Sequence, residues 1–168
     1  MKGSGDPLYV EPVRKSVRVQ APPSRAFEVF TAGMTRWWLP KHSINPTESP
    51  IAEVVIEPWV GGRWYERGID GSECDWGRVL LWEPPKRLVL AWQINAEIRS
   101  DPEFVTEVEI RFDPKPSGVT EVILEHRHLE RYGDAAPGLP NEIDRVWGIL
   151  LEHYAMEVVT KIRRKNDN

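Results

Sequence analysis

The spacing of apolar residues near the C-terminus is the feature that most constrains the fold. Apolar residues recur there every three or four positions, and the set is Ile143, Val146, Trp147, Leu150, Leu151, Tyr154, Val158 and Ile162. This spacing places them on one face of an α-helix of about 20 residues. Because a helix of this kind is stable only when another element covers its apolar face, the rest of the chain must supply a matching surface.

The middle of the chain changes from helical spacing to alternation. Six segments alternate apolar and polar residues, the pattern of β-strands with one buried face. They are 52–57, 62–67, 73–82, 88–96, 106–113 and 120–128. The connections are short and contain turn residues, such as Asp70-Gly71 and Pro84-Pro85. Because short turns join antiparallel neighbours, the sequence predicts an antiparallel meander.

The remaining segments complete the predicted layout. Residues 1–12 read as a loose leader without periodicity, and residues 129–142 hold glycines and prolines and are predicted as a loop. Part of that loop, residues 132–140, is long enough to act as a lid. One more strand and two short helices are predicted at 13–19, 24–31 and 34–39. We therefore expect a single α+β domain over residues 13–165, with the helices on one face of the sheet.

Eight tryptophans in 168 residues are the outlying feature of the composition. Two roles for these side chains stay open. They either pack as large rings within a solid core, or several of them line a cavity that holds a ligand. The candidate lining residues are Trp38, Trp64, Trp76, Trp92 and Trp147, together with Tyr154 of the C-terminal helix. In strand 73–82, simple alternation puts Trp76, Leu80 and Trp82 on one face, although one β-bulge would reverse that assignment.

His126 carries the polar chemistry of the predicted site. It lies on the last predicted strand, where Val122 and Leu124 share its face. Three roles stay open for it: a histidine hydrogen-bonded within the core, a polar anchor for a ligand carbonyl or hydroxyl, and a general base. His128 shares the same face, but the other histidines and Cys74 are scattered along the chain, so no metal site is predicted.

Other function classes find little support in the sequence. The net charge of −4 argues against a nucleic-acid partner. No nucleophile elbow, phosphate-binding loop or dinucleotide fingerprint is present, so no catalytic residue is assigned and no cofactor is expected. Cys74 is the single cysteine, so no intramolecular disulfide can form. No apolar run is long enough to span a membrane or typical of an export signal, and a cytoplasmic location is expected.

Several short motifs, in order along the chain, together resemble a known family. They are Arg36-Trp37-Trp38-Leu39-Pro40, Gly61-Gly62-Arg63-Trp64, Trp76-Gly77-Arg78-Val79, Pro84-Pro85-Lys86-Arg87-Leu88 and Thr120–His126. The pattern resembles the SRPBCC (START-like) superfamily, in the branch named after the activator of heat-shock protein 90 ATPase. The resemblance implies the helix-grip fold, a curved antiparallel sheet of six to seven strands around a long C-terminal helix, with two short helices after the first strand.

The resemblance implies less about function than about fold. Members of the superfamily bind lipids, sterols, polyketides and aromatic compounds, and some are cyclases. The favoured hypothesis is a protein that binds a small hydrophobic or aromatic ligand in an internal cavity. The alternatives are a chaperone-associated interaction protein and an enzyme of cyclase or hydrolase type that uses the cavity. A homodimer is compatible with each of them.

Overall fold

The computed structural model describes the backbone of residues 9–166 and the side chains of residues 9–160. Most of the predicted leader, residues 1–12, lies outside these residues. The division of the chain at that point therefore stays a prediction. Residues 9–12 belong to no helix or strand.

Within the described residues, seven strands form one antiparallel sheet. They are β1 (Val13–Val19), β2 (Ile51–Ile56), β3 (Arg63–Gly68), β4 (Glu73–Glu83), β5 (Arg87–Trp92), β6 (Thr106–Lys115) and β7 (Val119–Arg127). Their order across the sheet is β1-β7-β6-β5-β4-β3-β2, and all six pairings are antiparallel. Strands β2 to β7 form the predicted meander, and β1 pairs with the far edge of β7.

Three α-helices accompany the sheet in residues 9–166: α1 (Pro23–Thr31), α2 (Met34–Trp37) and α3 (Leu139–Asn166). Short 3-10 segments follow α2 at Pro40–His42 and β7 at Leu129–Ala135. In this described part of the chain, no helix is long and apolar enough to cross a membrane.

Helix α3 begins at Leu139, earlier than the predicted start at residue 143. Pro140 is tolerated in its first turn, because the amide hydrogen that proline lacks would have no partner there. Gly138, with φ +81°, turns the chain into the helix. The segment 129–142 is thus a 3-10 segment followed by a short turn and the first turn of α3, rather than one open loop.

Helix α3 grips the concave side of the curled sheet, which confirms the predicted helix-grip fold. It packs against β1 and against both short helices. Buried apolar side chains from all three layers form a continuous core, including Phe30 of α1, Phe112 and Leu124 of the sheet, and Leu150 and Val158 of α3.

Two bulges interrupt the alternation of β4, so the predicted face is wrong for Leu80, whereas Trp82 packs against the same core as Trp76. The pairing with β3 skips Trp76, and the pairing with β5 skips Leu80. As a result Val79 is buried with Trp76, whereas the side chain of Leu80 is exposed. Gly77 lies between the bulges, where a Cβ atom would collide with the carbonyl oxygen of Ala91.

Candidate functional site

A cavity of about 380 Å³ lies between the first half of α3 and the neighbouring ends of β5 and β7. The strands contribute Trp92 and His126, their last and next-to-last residues. Helix α3 contributes mainly apolar side chains at its helical spacing, namely Leu139, Ile143, Val146, Trp147 and Leu150. The amphipathic pattern that predicted α3 therefore also supplies one wall of the cavity.

Two loops form the rim of the cavity. One follows β5 and contributes Ile94 and Ile98, and the other follows α2 and contributes residues 41–44. Tyr132, from the 3-10 segment after β7, also lines the cavity and donates its hydroxyl hydrogen to the carbonyl oxygen of Ile94 over 2.9 Å. Burial raises the pKa of Tyr132 to about 12, so this hydroxyl stays protonated near neutral pH.

The ring of His126 is hydrogen-bonded at both nitrogen atoms. The indole N–H of Trp147 donates to Nδ1 over 3.2 Å, and because an indole nitrogen only donates, Nδ1 must be the acceptor. Nε2 then carries the proton and donates to Oγ1 of Thr106, 2.8 Å away. The Thr106 hydroxyl donates in turn to the carbonyl oxygen of Trp92 over 3.3 Å.

Burial fixes the charge state of His126 as well as its tautomer. The ring is fully buried, and desolvation lowers its pKa to about 3, so it is neutral at pH 7. Neither nitrogen is free to accept a proton unless a hydrogen bond breaks. Of the three roles considered for His126, this geometry best fits a hydrogen-bonded histidine that ties β7 to α3.

Two other polar atoms of the lining residues have no hydrogen-bond partner within the described residues. They are Nε1 of Trp38, which follows α2, and Nε2 of His42, which lies four residues later in the 3-10 segment. Both atoms are shielded from solvent. The pKa of His42 is lowered by burial and then by the nearby cations Lys41 and Arg145, against an opposing effect of Glu142. Its imidazole is therefore neutral at pH 7.

Glu66 of β3 holds the rim segment that contains His42. Its buried carboxylate accepts hydrogen bonds from the Ser43 hydroxyl at 2.6 Å, the Ile44 amide at 2.7 Å and the indole N–H of Trp76 at 3.1 Å. Ser43 and Ile44 both line the cavity. The carboxylate thus couples the sheet to the cavity wall through the two donors of Ser43 and Ile44, and its third donor, Trp76, belongs to the neighbouring strand β4.

The seven candidate residues fall into two groups. Trp38, Trp92, His126 and Trp147 line the cavity. Trp64 and Trp76 are fully buried behind it, where the ring of Trp76 stacks 4.5 Å from that of Trp38 and the ring of Trp64 lies 5.2 Å from that of Trp92. Tyr154 lies deeper, with its hydroxyl donating to the carbonyl oxygen of Ala26 over 2.7 Å. Trp64 and Trp76 thus support the lining from behind, whereas Tyr154 packs against Phe30 and Trp37 of the core.

Sequence reasoning did not single out His42, Tyr132 or Ile98 as site residues. His42 lies in a polar segment that contains proline and has no periodicity, which read as an ordinary loop. The one available signal was the lid role considered for residues 132–140, since Tyr132 and Leu139 of that stretch line the cavity.

Residues 20–153 match the family described as Activator of Hsp90 ATPase homolog 1-like protein. The match begins after β1 and ends within α3, so it includes every element that lines the cavity. The comparison with curated protein sequences found no match.

The chain is similar to several solved structures, and the descriptions of two of them name an activity or a biological role. One is described as an anthrahydroquino-gamma-pyrone synthase, Txn09, complexed with SUM. It shares 41% sequence identity, covers 88% of each chain and has a TM-score of 0.56. CalC from Micromonospora echinospora, described as a self-sacrificing resistance protein, shares 29% identity over 90% of this chain and 96% of its own, with a TM-score of 0.66.

A more distant structure shows the fold alone. Protein NE0264 from Nitrosomonas europaea is 16% identical over 90% of this chain and 96% of its own, with a TM-score of 0.64.

Proposed function

This chain belongs to the family described as Activator of Hsp90 ATPase homolog 1-like protein, and we propose that it binds a small, flat, largely apolar molecule in the cavity beside α3. The observation that carries this proposal is the cavity itself. Its volume of about 380 Å³ falls within the range of ligand pockets, and its walls combine aliphatic side chains of α3 with the rings of Trp38, Trp92 and Trp147.

The kind of ligand is suggested by the lining. Indole rings offer flat, polarisable faces and edges that pack well against other aromatic rings. The similar synthase is described by a fused aromatic product, an anthrahydroquino-gamma-pyrone, and this description favours an aromatic ligand for the present chain as well. Binding to a chaperone, the alternative that the resemblance implied, rests on the family description alone.

Naphthalene is a suitable first probe, because it is flat, apolar and small enough for the cavity. A ligand that binds the folded state raises the free energy of unfolding by about 2.7 kcal/mol at a hundredfold excess over Kd. For a chain of this size we expect the melting temperature to rise by roughly 5–10 °C at that excess. Differential scanning calorimetry measures this without optical interference from the absorbance or fluorescence of naphthalene.

A matched pair of variants on α3 tests whether the cavity is the binding site. Val146 lines the cavity, whereas Ile149 lies on the same helix outside the lining. Val146→Trp should fill the space and abolish the ligand-induced rise, and Ile149→Trp should retain it. The proposal is abandoned if naphthalene leaves the wild-type melting temperature unchanged or if the two variants respond alike.

A second candidate function is a synthase that closes a ring on such a ligand. The observation that favours it is the 41% identity with a protein described as a synthase, over 88% of both chains. Incubation of the purified chain with the substrate of that synthase, followed by mass spectrometry, tests it directly. Appearance of the pyrone product above the level of a boiled-protein control would support catalysis, and unchanged substrate would leave binding as the function.

A further inference from the structure

Most polar side chains that line the cavity already use their polar hydrogen atoms within the protein. Those that donate to another protein group are Ser43, Tyr132, His126 and Trp147. The indole of Trp92 interacts with the hydroxyl of Tyr132. Nε1 of Trp38 and Nε2 of His42 are shielded from solvent, so a ligand in the cavity does not reach them. The groups left for a polar contact with a ligand lie in the two rim loops.

Asn95, in the loop after β5, presents an amide nitrogen without an acceptor. Its Oδ1 accepts from the backbone amides of Glu97 and Arg99, each over 3.1 Å. Because only the oxygen atom of an amide accepts, these two bonds fix the orientation of the group. Nδ2 has no hydrogen-bond partner in the part of the chain that the structure describes, and it is not among the solvent-shielded atoms. The loop thus holds a donor at the rim.

Lys41, in the loop after α2, supplies a positive charge at the same rim. Its side chain is exposed and lines the cavity, and its ammonium group forms no ion pair among residues 9–160. Glu142 is the other charged residue of the lining, and its carboxylate is paired with Arg145. All three charges act on the ring of His42. Because those of Glu142 and Arg145 offset each other, the charge left at the mouth of the cavity is positive.

We propose that the ligand carries a carboxylate at the mouth of the cavity, where Lys41 and Asn95 recognise it, while its aromatic part lies among the indole rings. This inference rests on the proposed binding function and adds the chemical class, an aromatic carboxylic acid. The free ends of both side chains only donate hydrogen bonds, so the matching group is an acceptor. The ammonium group of Lys41 favours a charged acceptor over a neutral one.

The position of Lys41 also limits the cost of binding an anion. Transfer of a carboxylate into the apolar interior of the cavity would remove its hydration, and the penalty would exceed the gain from one ion pair. Because Lys41 is exposed, a carboxylate beside it keeps part of its hydration. The aliphatic residues and indole rings deeper in the lining then contact only the apolar part of the ligand.

Two derivatives of naphthalene separate recognition of charge from packing. Naphthoate carries a carboxylate on one ring, and naphthamide carries a neutral amide of nearly the same size at the same position. Both have a carbonyl oxygen, so a difference between them reports the charge. Naphthalene itself reports packing alone. Isothermal titration calorimetry at pH 7 gives the dissociation constant of each probe.

Four variants test the two contacts. Lys41→Met removes the charge and keeps an unbranched side chain, whereas Lys41→Arg keeps the charge. Lys86→Met is the matched control, because Lys86 is an exposed lysine outside the cavity lining. Asn95→Asp keeps one oxygen atom for the amides of Glu97 and Arg99 and replaces the free NH2 group with a second oxygen atom.

We expect the wild-type protein to bind naphthoate about two- to fivefold more tightly than naphthamide, the range of a solvent-exposed ion pair. Lys41→Met should abolish this preference, and Lys41→Arg and Lys86→Met should keep it. Asn95→Asp should reverse it, because the new carboxylate repels naphthoate and accepts from the amide of naphthamide. Since salt screens exposed charges, a higher ionic strength should reduce the preference of the wild type.

The inference is wrong if the wild-type protein binds naphthoate no more tightly than naphthamide, or if the preference survives in Lys41→Met or in Asn95→Asp. It is also wrong if Lys86→Met removes the preference as fully as Lys41→Met, because the total charge of the protein would then be the cause. In these cases binding of naphthamide and naphthalene still supports the cavity as a binding site. If none of the three probes binds the wild-type protein, the binding function itself fails, and this inference fails with it.

Discussion

The indole N–H of Trp147 donates a hydrogen bond to Nδ1 of His126 over 3.2 Å, joining the gripping helix to the last strand of the sheet. Both groups are buried beside the cavity. The bond fixes the tautomer of the histidine, and through Nε2 it also orders the hydroxyl of Thr106. One indole nitrogen thus organises a polar chain that runs from α3 to β5.

Replacing Trp147 with phenylalanine should therefore cost stability as well as volume. The Nδ1 atom of His126 would lose its donor inside the protein, and a buried acceptor without a partner costs about 1–3 kcal/mol. We expect Trp147→Phe to lower the free energy of unfolding by at least that amount in urea titrations. Trp59→Phe is the matched control, because Trp59 is 55% exposed and should change stability by less than about 0.5 kcal/mol. Equal effects of the two changes would contradict this role of Trp147.

The buried, neutral His126 should make folding stability depend on pH in a defined window. Its pKa is about 3 in the folded protein, below the ordinary value of 6.5. Below pH 6.5 the unfolded chain binds a proton at this residue that the folded chain does not. The contribution of His126 to the free energy of unfolding is therefore fully present above pH 6.5 and declines as the pH falls toward 3. The slope approaches about 1.4 kcal/mol per pH unit for one group.

Urea unfolding between pH 7 and pH 5 excludes most of the contribution of carboxyl groups, because those groups titrate mainly below that interval. His42 contributes in the same direction, since its pKa is also lowered, so the comparison uses His42→Gln as the background. In that background, adding His126→Gln should flatten the dependence. A slope that persists in the double variant would show that another group causes it.

The parts of the structure that were predictable from sequence are those with local causes. The apolar spacing of α3 and the alternation of the strands follow from the geometry of each element, so these elements were found. The start of α3 was placed late because the proline and glycine before residue 143 look like loop residues. In the structure Pro140 occupies the first helical turn, a position that local composition alone does not distinguish from a loop.

The site was less predictable because it depends on relations between distant segments. The alternation of β4 is interrupted by bulges at Trp76 and Leu80, and a bulge has no reliable signature in a single strand. His42 reaches the cavity only because Glu66, which is distant in sequence, holds the next two residues of its loop. Periodicity within one segment carries no information about such contacts.

Glu66→Gln should loosen the rim segment without disturbing the strand that carries it. Glutamine has one oxygen acceptor where the carboxylate has two, so at least one of the donors Ser43, Ile44 and Trp76 would lose its partner. We expect a loss of about 2–3 kcal/mol in stability and faster hydrogen exchange at the Ile44 amide. Glu53→Gln is the control, since Glu53 is paired with Arg67 at the surface and should cost less than about 1 kcal/mol. Unchanged exchange at Ile44 would contradict the anchoring role.

Substitution of Ile98 should raise the stability of the protein and lower its affinity for the ligand. It is a β-branched residue with φ +61°, its side chain is 64% exposed, and it lines the cavity rim. A left-handed backbone costs such a residue about 1–2 kcal/mol, whereas asparagine adopts it readily. Ile98→Asn should therefore raise the free energy of unfolding by about 1 kcal/mol while weakening naphthalene binding by roughly fivefold, because apolar contact area is lost. Ile69→Asn, at a similarly exposed isoleucine outside the positive-φ positions of the described residues, should change neither quantity. If Ile98→Asn gains stability and keeps full affinity, the strained rim has no part in holding the ligand.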